Sequence, residues 1–145
     1  MAGDRWLTTL CDHTGQPLAI RLRPPDAVAD ATGKYSYLLA VTHHLRSVRA
    51  DGMPDPDYNE SLAAFDAALV DALDEAGRVV VVETCAGRRL YYAYVADEAA
   101  AKRAVTQVLA EYGCLSESGF RGGPDPAWQF YAAYLDGPAA GTTSG

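Results

Sequence analysis

Three kinds of side chain in this sequence are equipped for chemistry: a tyrosine run behind two arginines, three histidines and three cysteines. Tyr91, Tyr92 and Tyr94 follow Arg88 and Arg89 in a stretch that alternates as a strand. Alternation puts Tyr92 and Tyr94 on one face and Tyr91 on the other. Two phenols on one sheet face can stack on a planar ligand, as RNA-recognition sheets stack bases, and nearby guanidiniums can hold an anion. The plainer and favoured reading is that Trp128 and Tyr131 cover these rings as a second small core. In either case, a rim of Arg21, Arg23, Arg89 and the tyrosine hydroxyls would offer a pocket for an anionic or peptide ligand. Arg21 and Arg23 are two apart on a strand and share a face. The candidate binding set is therefore Arg21, Arg23, Arg89, Tyr92, Tyr94, Trp128 and Tyr131, expected to converge beneath the C-terminal segment. Arg89 joins it only if the turn before it is bulged, because alternation points it away from Tyr92.

Cys85 sits at a turn beside Arg88 and Arg89, whose charge could lower its thiol pKa and make it a nucleophile. The favoured alternative is a small half-buried residue at a strand end. His43 and His44 are neighbours on a strand, so they point to opposite faces and cannot share an ion; His13 falls in a turn. No HExxH or HxH spacing is present, and no metal site or cofactor is expected. Phosphate loops, nucleophile elbows and dinucleotide fingerprints are missing from the sequence. The segment 121–124 reads as a loop too short and proline-limited to cradle a phosphate. Asp51, Asp55, Asp57 and Glu60 lack the spacing of a calcium loop. No residue is assigned a catalytic role.

The 145 residues fit one domain, expected over 1–136 with a disordered Gly/Pro/Thr-rich tail at 137–145, and 49% apolar content is ample for a core. A net charge of −7 argues against nucleic acid and anionic membranes as principal partners. Between Arg49 and Arg78 no Lys or Arg occurs, while Asp51, Asp55, Asp57, Glu60, Asp66, Asp71, Asp74 and Glu75 do. That run reads as a solvated helix face, with an acidic docking patch as the rarer reading. Three widely spaced cysteines suit reduced thiols, and no stretch reaches membrane-spanning length, so a soluble cytoplasmic protein is expected.

The elements that must position these residues follow from pattern. Two β-type runs, 5–11 and 17–23, flank a turn at Thr14–Gly15–Gln16 and predict a hairpin. A strand is expected at 36–46. Asp55 with Pro56 opens a helix over 56–76, in which Tyr58, Leu62, Phe65, Leu69 and Leu73 form one stripe, and Gly77 suits a left-handed closing position. Strands at 78–84 and 88–95 precede a helix over 97–112 capped by Asp97 and closed by Gly113. A short strand at 114–120 and a final helix carrying Trp128, Tyr131 and Leu135 complete the chain. The order βαββαβ predicts an α+β fold of the ferredoxin-like type: an antiparallel sheet with both helices on one face, plus the N-terminal hairpin and the short C-terminal helix.

Several short motifs occur in a recognisable order: Gly15–Gln16–Pro17 with Ile20–Arg21–Leu22–Arg23–Pro24; Gly52–Met53–Pro54; Arg89 before Tyr91–Tyr92–Ala93–Tyr94; and Asp125–Pro126–Ala127–Trp128 with Tyr131. Together they resemble the bacterial domain of unknown function 695 family. More distantly, the layout is similar to the regulator of ribonuclease E activity B, a ferredoxin-like protein that acts by binding an enzyme. The resemblance implies the same fold and a binding role, and it brings no catalytic residue. The function expected is thus a non-catalytic binding or regulatory module acting through a protein partner. The alternatives are a small-molecule ligand sensor, or a small hydrolase or transferase using Cys85 or a histidine.

Overall fold

The structure is a computed structural model that describes residues 5–136. The segment 137–145, expected as a disordered tail, lies outside the described residues, as do residues 1–4. The chain forms β1 (Leu7–His13), β2 (Gln16–Leu22), α1 (Pro25–Val28), β3 (Tyr37–His44), α2 (Pro56–Ser61), α3 (Ala63–Ala76), β4 (Gly77–Cys85), β5 (Arg88–Val95), α4 (Glu98–Glu111), β6 (Ser118–Pro124) and α5 (Gln129–Asp136). This is an α+β protein with one six-stranded sheet, ordered β1-β2-β4-β5-β3-β6 and antiparallel at every pairing.

Local chemistry explains most of the element ends. Thr14 and Gly15 both have positive φ, so the first hairpin closes on a two-residue turn of the mirror-image class that matches strand twist. Asp97 accepts from the Ala100 N–H at 3.1 Å and caps α4, while Gly113, at φ 70°, ends it. Pro56 occupies the first helical turn, although Asp55 turns its carboxylate to the Ser47 hydroxyl instead of to the helix. The expected helix over 56–76 is broken at Leu62, which separates α2 from α3.

Two expectations need correcting. The last strand runs over Ser118–Pro124, four residues later than expected, and 121–124 is part of that strand rather than a loop. A 3-10 turn at Leu115–Glu117 takes up the preceding residues. Glycines there suit an edge strand: a Cβ on Gly122 would meet the Leu38 carbonyl oxygen at 2.4 Å. Gly77, in turn, is extended at φ 179° rather than left-handed, and it opens β4 directly. Its glycine requirement is steric, since a Cβ there would lie 1.8 Å from the Tyr94 carbonyl oxygen.

The sheet has a core on each face. On one, Phe65, Leu69 and Leu73 of α3 and Ala101, Val105 and Leu109 of α4 pack on Leu39, Val41, Val79, Val82, Tyr91, Ala93 and Val95. On the other, Trp128, Tyr131 and Tyr134 cover Leu18, Ile20, Leu22, Val80, Val81 and Tyr94. A β-bulge between Val79 and Val81 puts Val80 and Val81 on one face and so shifts the alternation for the rest of β4. Thr84 therefore joins the helix side beside Arg89, and Glu83 faces Tyr134. Gly77→Ala should lower unfolding free energy by roughly 2–3 kcal/mol through overpacking against backbone. Urea denaturation would check this, and a change under about 0.5 kcal/mol would show that β4 can shift to accept a methyl group.

Candidate functional site

The residues expected to converge are divided by the sheet. Arg21, Arg23 and Arg89 lie on the α2–α3 side; Tyr92, Tyr94, Trp128 and Tyr131 lie on the α5 side. Strand alternation is the cause. No bulge occurs at Arg89, which pairs in register with His43 and Thr84, so it shares a face with Tyr91.

On the helix side, Asp66 of α3 is a hub. It accepts from Arg21 at 2.7 Å and from the Tyr91 hydroxyl at 2.7 Å, and Arg89 stands 3.8 Å away. Arg89 also donates to Thr84 Oγ1 and to Asn59 Oδ1, both at 2.8 Å. Burial, then the Asp66 charge, raises the Tyr91 pKa, so the phenol stays protonated as a donor. A groove of about 520 Å³ opens beside this hub, with Thr8, Leu10 and Ala19 of the hairpin opposite Asn59, Leu62 and Ala63. Two guanidiniums thus share one carboxylate at a half-open site.

Arg23 belongs to the core instead. It is 2% exposed and grips Asp74 with two bonds of 2.7 and 2.8 Å, donates to the Val79 carbonyl, and lies 4.5 Å from the Trp6 ring centre. Asp74 also accepts from the Val79 N–H, so this pair ties β2 to the α3–β4 junction. Asp66 and Asp74 are therefore not part of a solvated acidic face; they are the members of that run that turn toward the hairpin. The signal was present: both are one residue beyond a core position, Phe65 and Leu73, and eight apart on one helix edge.

On the α5 side the tyrosines form no open platform, as favoured from the sequence. Trp128 stacks on Tyr94, with centroids 4.0 Å apart and planes 7° from parallel, and meets Tyr131 edge-on. The Tyr94 hydroxyl donates to Asp125 at 2.6 Å, and Asp125 also accepts the N–H groups of Gln129 and Phe130, which anchors the start of α5. Tyr131 donates to the Arg23 carbonyl. Tyr92 is the exception: half-buried, it leans on Phe130 at 4.5 Å and borders a second groove, and burial pushes its pKa up to about 12.

Neither proposed nucleophile system gains from its surroundings. Burial first, then Glu83, raises the Cys85 thiol, and Arg88 does not reverse that direction. His43 is buried on the helix side against Phe65, 3.0 Å from Ser118 Oγ, whereas His44 is exposed on the opposite face. Among the described residues no cluster of three or more His, Cys, Asp or Glu side chains could hold a metal, and no helix is long and apolar enough to cross a membrane.

Two measurements probe these assignments. Arg23→Ala should cost about 3–5 kcal/mol, because it leaves Asp74 half-buried without its partner; a loss below about 1 kcal/mol in urea denaturation would place Arg23 outside the core. The second concerns His43. Burial holds its pKa below the ordinary 6.5, a lowering to which Arg46, Arg89 and His44 add and which Glu117 opposes. The neutral ring is then the folded form, and its contribution is complete above about pH 6.5 and lost as pH falls through that value toward the depressed one. Thermal midpoints should drop between about pH 7 and 5, and His43→Phe should flatten that drop. An equal slope in both proteins would assign it to other groups.

No curated protein matches this sequence. A family model described as a family of unknown function, DUF695, matches residues 4–136, which covers the hairpin, both cores, the Asp66 hub and the Trp128 cap. The chain belongs to the DUF695 family.

Proposed function

We propose that the protein is a non-catalytic, cytoplasmic binding module on a ferredoxin-like core, and that it acts through a protein partner which adds an extended segment to strand β1. Support for the core comes from the strand order β6-β3-β5-β4 with α2–α3 and α4 as crossovers on one face. Three free thiols, at Cys11, Cys85 and Cys114, support a reducing compartment.

The observation that carries the partner is the condition of β1. Among the described residues it pairs with β2 alone, with no strand on its outer side, and it exposes Leu7 at 50% and Leu10 at 68%. Edge strands are ordinarily guarded by charged side chains, proline or a bulge. Over its seven residues, LTTLCDH, β1 has no lysine, proline or bulge, and its one carboxylate, Asp12, stands at the turn end away from Leu7 and Thr8. Strand addition uses such an edge for affinity and neighbouring pockets for specificity. The groove beside Leu10 supplies the pocket, and the two guanidiniums sharing Asp66 favour an acidic side chain there.

Affinity capture with the wild-type protein and with Leu10→Lys tests this reading. Leu10 is exposed, so the variant should keep its thermal midpoint, while recovery of a stoichiometric protein falls by roughly tenfold or more. Equal recovery by both proteins would remove β1 as the contact. A wild-type protein that runs as a dimer, made monomeric by Leu10→Lys, would assign the edge to a second copy of this chain.

A further inference from the structure

On the sheet face opposite α3 and α4, the C-terminal helix covers only part of the surface. Trp128, Tyr131 and Tyr134 lie over β2, β4 and the Tyr94 end of β5. The remainder, across β5, β3 and β6, is an open groove of about 550 Å³.

Its shape follows from the register. Tyr92, Ala40 and Arg121 stand opposite one another across three strands, so that a phenol and a guanidinium face each other over a methyl group. Strand spacing separates their backbones by roughly 10 Å, the width of a flat ring system with room on either side. The neighbouring positions of β6 on this face are Gly119 and Gly123, and a Cβ on either would meet nothing within 4 Å. Arg121 therefore stands alone on its strand. Leu38, Ala40 and Leu90 form an apolar floor, and Tyr92 with Phe130 forms an aromatic wall.

The charges are arranged for an anion. Seven of the ten arginines, namely Arg5, Arg21, Arg23, Arg46, Arg49, Arg78 and Arg89, pair with carboxylates. Arg121 and Arg88 have no such partner among the described residues, and both act on the ionisation of Tyr92 from this face. The two carboxylates nearby are engaged elsewhere: Asp125 by Tyr94 and the start of α5, Glu83 by the Tyr134 hydroxyl. Each guanidinium offers five N–H donors in a planar fork suited to phosphate or carboxylate. A groove of this volume is in the range of small-ligand sites.

We propose that this groove binds a small planar anion, with an aromatic body between Tyr92–Phe130 and Arg121 and its phosphate or carboxylate on the Arg121 guanidinium. The site is on the other face from β1 and independent of the partner-binding reading. Nuclear magnetic resonance titration, read at the amides of Gly119 and Gly123, tests it with four probes: adenosine monophosphate, para-hydroxybenzoate, adenosine and inorganic phosphate. Saturable shifts are expected with one or both planar anions at a Kd of about 1 mM or tighter, and not with adenosine or phosphate alone. Which anion saturates tells phosphate from carboxylate. Arg121→Ala should weaken binding roughly tenfold, and Gly123→Leu, which fills open space without strain, should abolish it. Both variants should keep the wild-type thermal midpoint, and Leu10→Lys should bind normally. The proposal is overturned if neither planar anion saturates, or if neither groove variant alters binding. It is also overturned if a single-stranded oligonucleotide binds more than roughly a hundredfold tighter than the mononucleotide, which would make this a nucleic-acid surface.

Discussion

A continuous sheet wider than its cover is the constraint from which the other features of this protein follow. Six strands spaced by about 4.8 Å span roughly 24–29 Å, while a packed helix covers about 10 Å. On one face two helical layers, α2–α3 and α4, extend over β4, β5, β3 and β6 and stop before the hairpin. On the other, α5 sits over β2, β4 and the near end of β5. The uncovered widths lie at opposite edges of the sheet, and each carries a groove. Neither groove is a defect in packing; each is the strip that the helices are too narrow to reach.

Attaching a hairpin to the β4 edge of such a sheet creates an electrostatic difficulty. Its helix-side positions are too far out for a full apolar cover, so they carry Arg21 and Arg23 in place of aliphatic side chains. Those cations need partners, and α3 supplies them from its flank at Asp66 and Asp74. A guanidinium 2% exposed must have a carboxylate, since an unpaired charge at that depth costs several kcal/mol. The Val80 bulge belongs to the same solution. It brings the Val80 carbonyl to the Arg23 N–H at 3.0 Å and turns Thr84 toward Arg89. Two of the eight carboxylates in that run, Asp66 and Asp74, are thus counter-charge for the added strands.

This division explains what could be read from sequence. Elements with strong periodicity or defined caps, such as the α4 helix between Asp97 and Gly113, are legible because local residues determine them. So is the packing of Trp128 and Tyr131 on the Tyr94 face, since large apolar side chains on an amphipathic segment need a sheet face, although Trp128 precedes α5 instead of riding on it. The expected convergence of Arg21, Arg23 and Arg89 with the tyrosines fails because alternation fixes faces within a strand and not between strands. Arg21 and Tyr92 lie on strands separated by β4, and only the phase of β4, reset by its bulge, relates their faces. A one-residue bulge leaves little trace in a run of four valines, Val79–Val80–Val81–Val82. Likewise, Gly122 and Gly123 read as loop chemistry because an edge strand with a bare face has the same composition as a turn.

Strand β5 touches both open surfaces. Its odd-numbered residues send Arg89 and Tyr91 into the Asp66 hub, and its even-numbered ones send Leu90 and Tyr92 to the opposite groove. Tyr91 is fully buried and hydrogen-bonded to Asp66, so it cannot shift without breaking the contacts that hold Arg21 in place. Tyr92 meets Phe130 at a 33° tilt, and Phe130 is half-buried near the start of the eight-residue α5. Tyr94 and Trp128, stacked and fully covered, hold the rest of that face fixed. The sheet is thus closed over beneath Trp128 and open beside Tyr92, where Arg121 borders the groove.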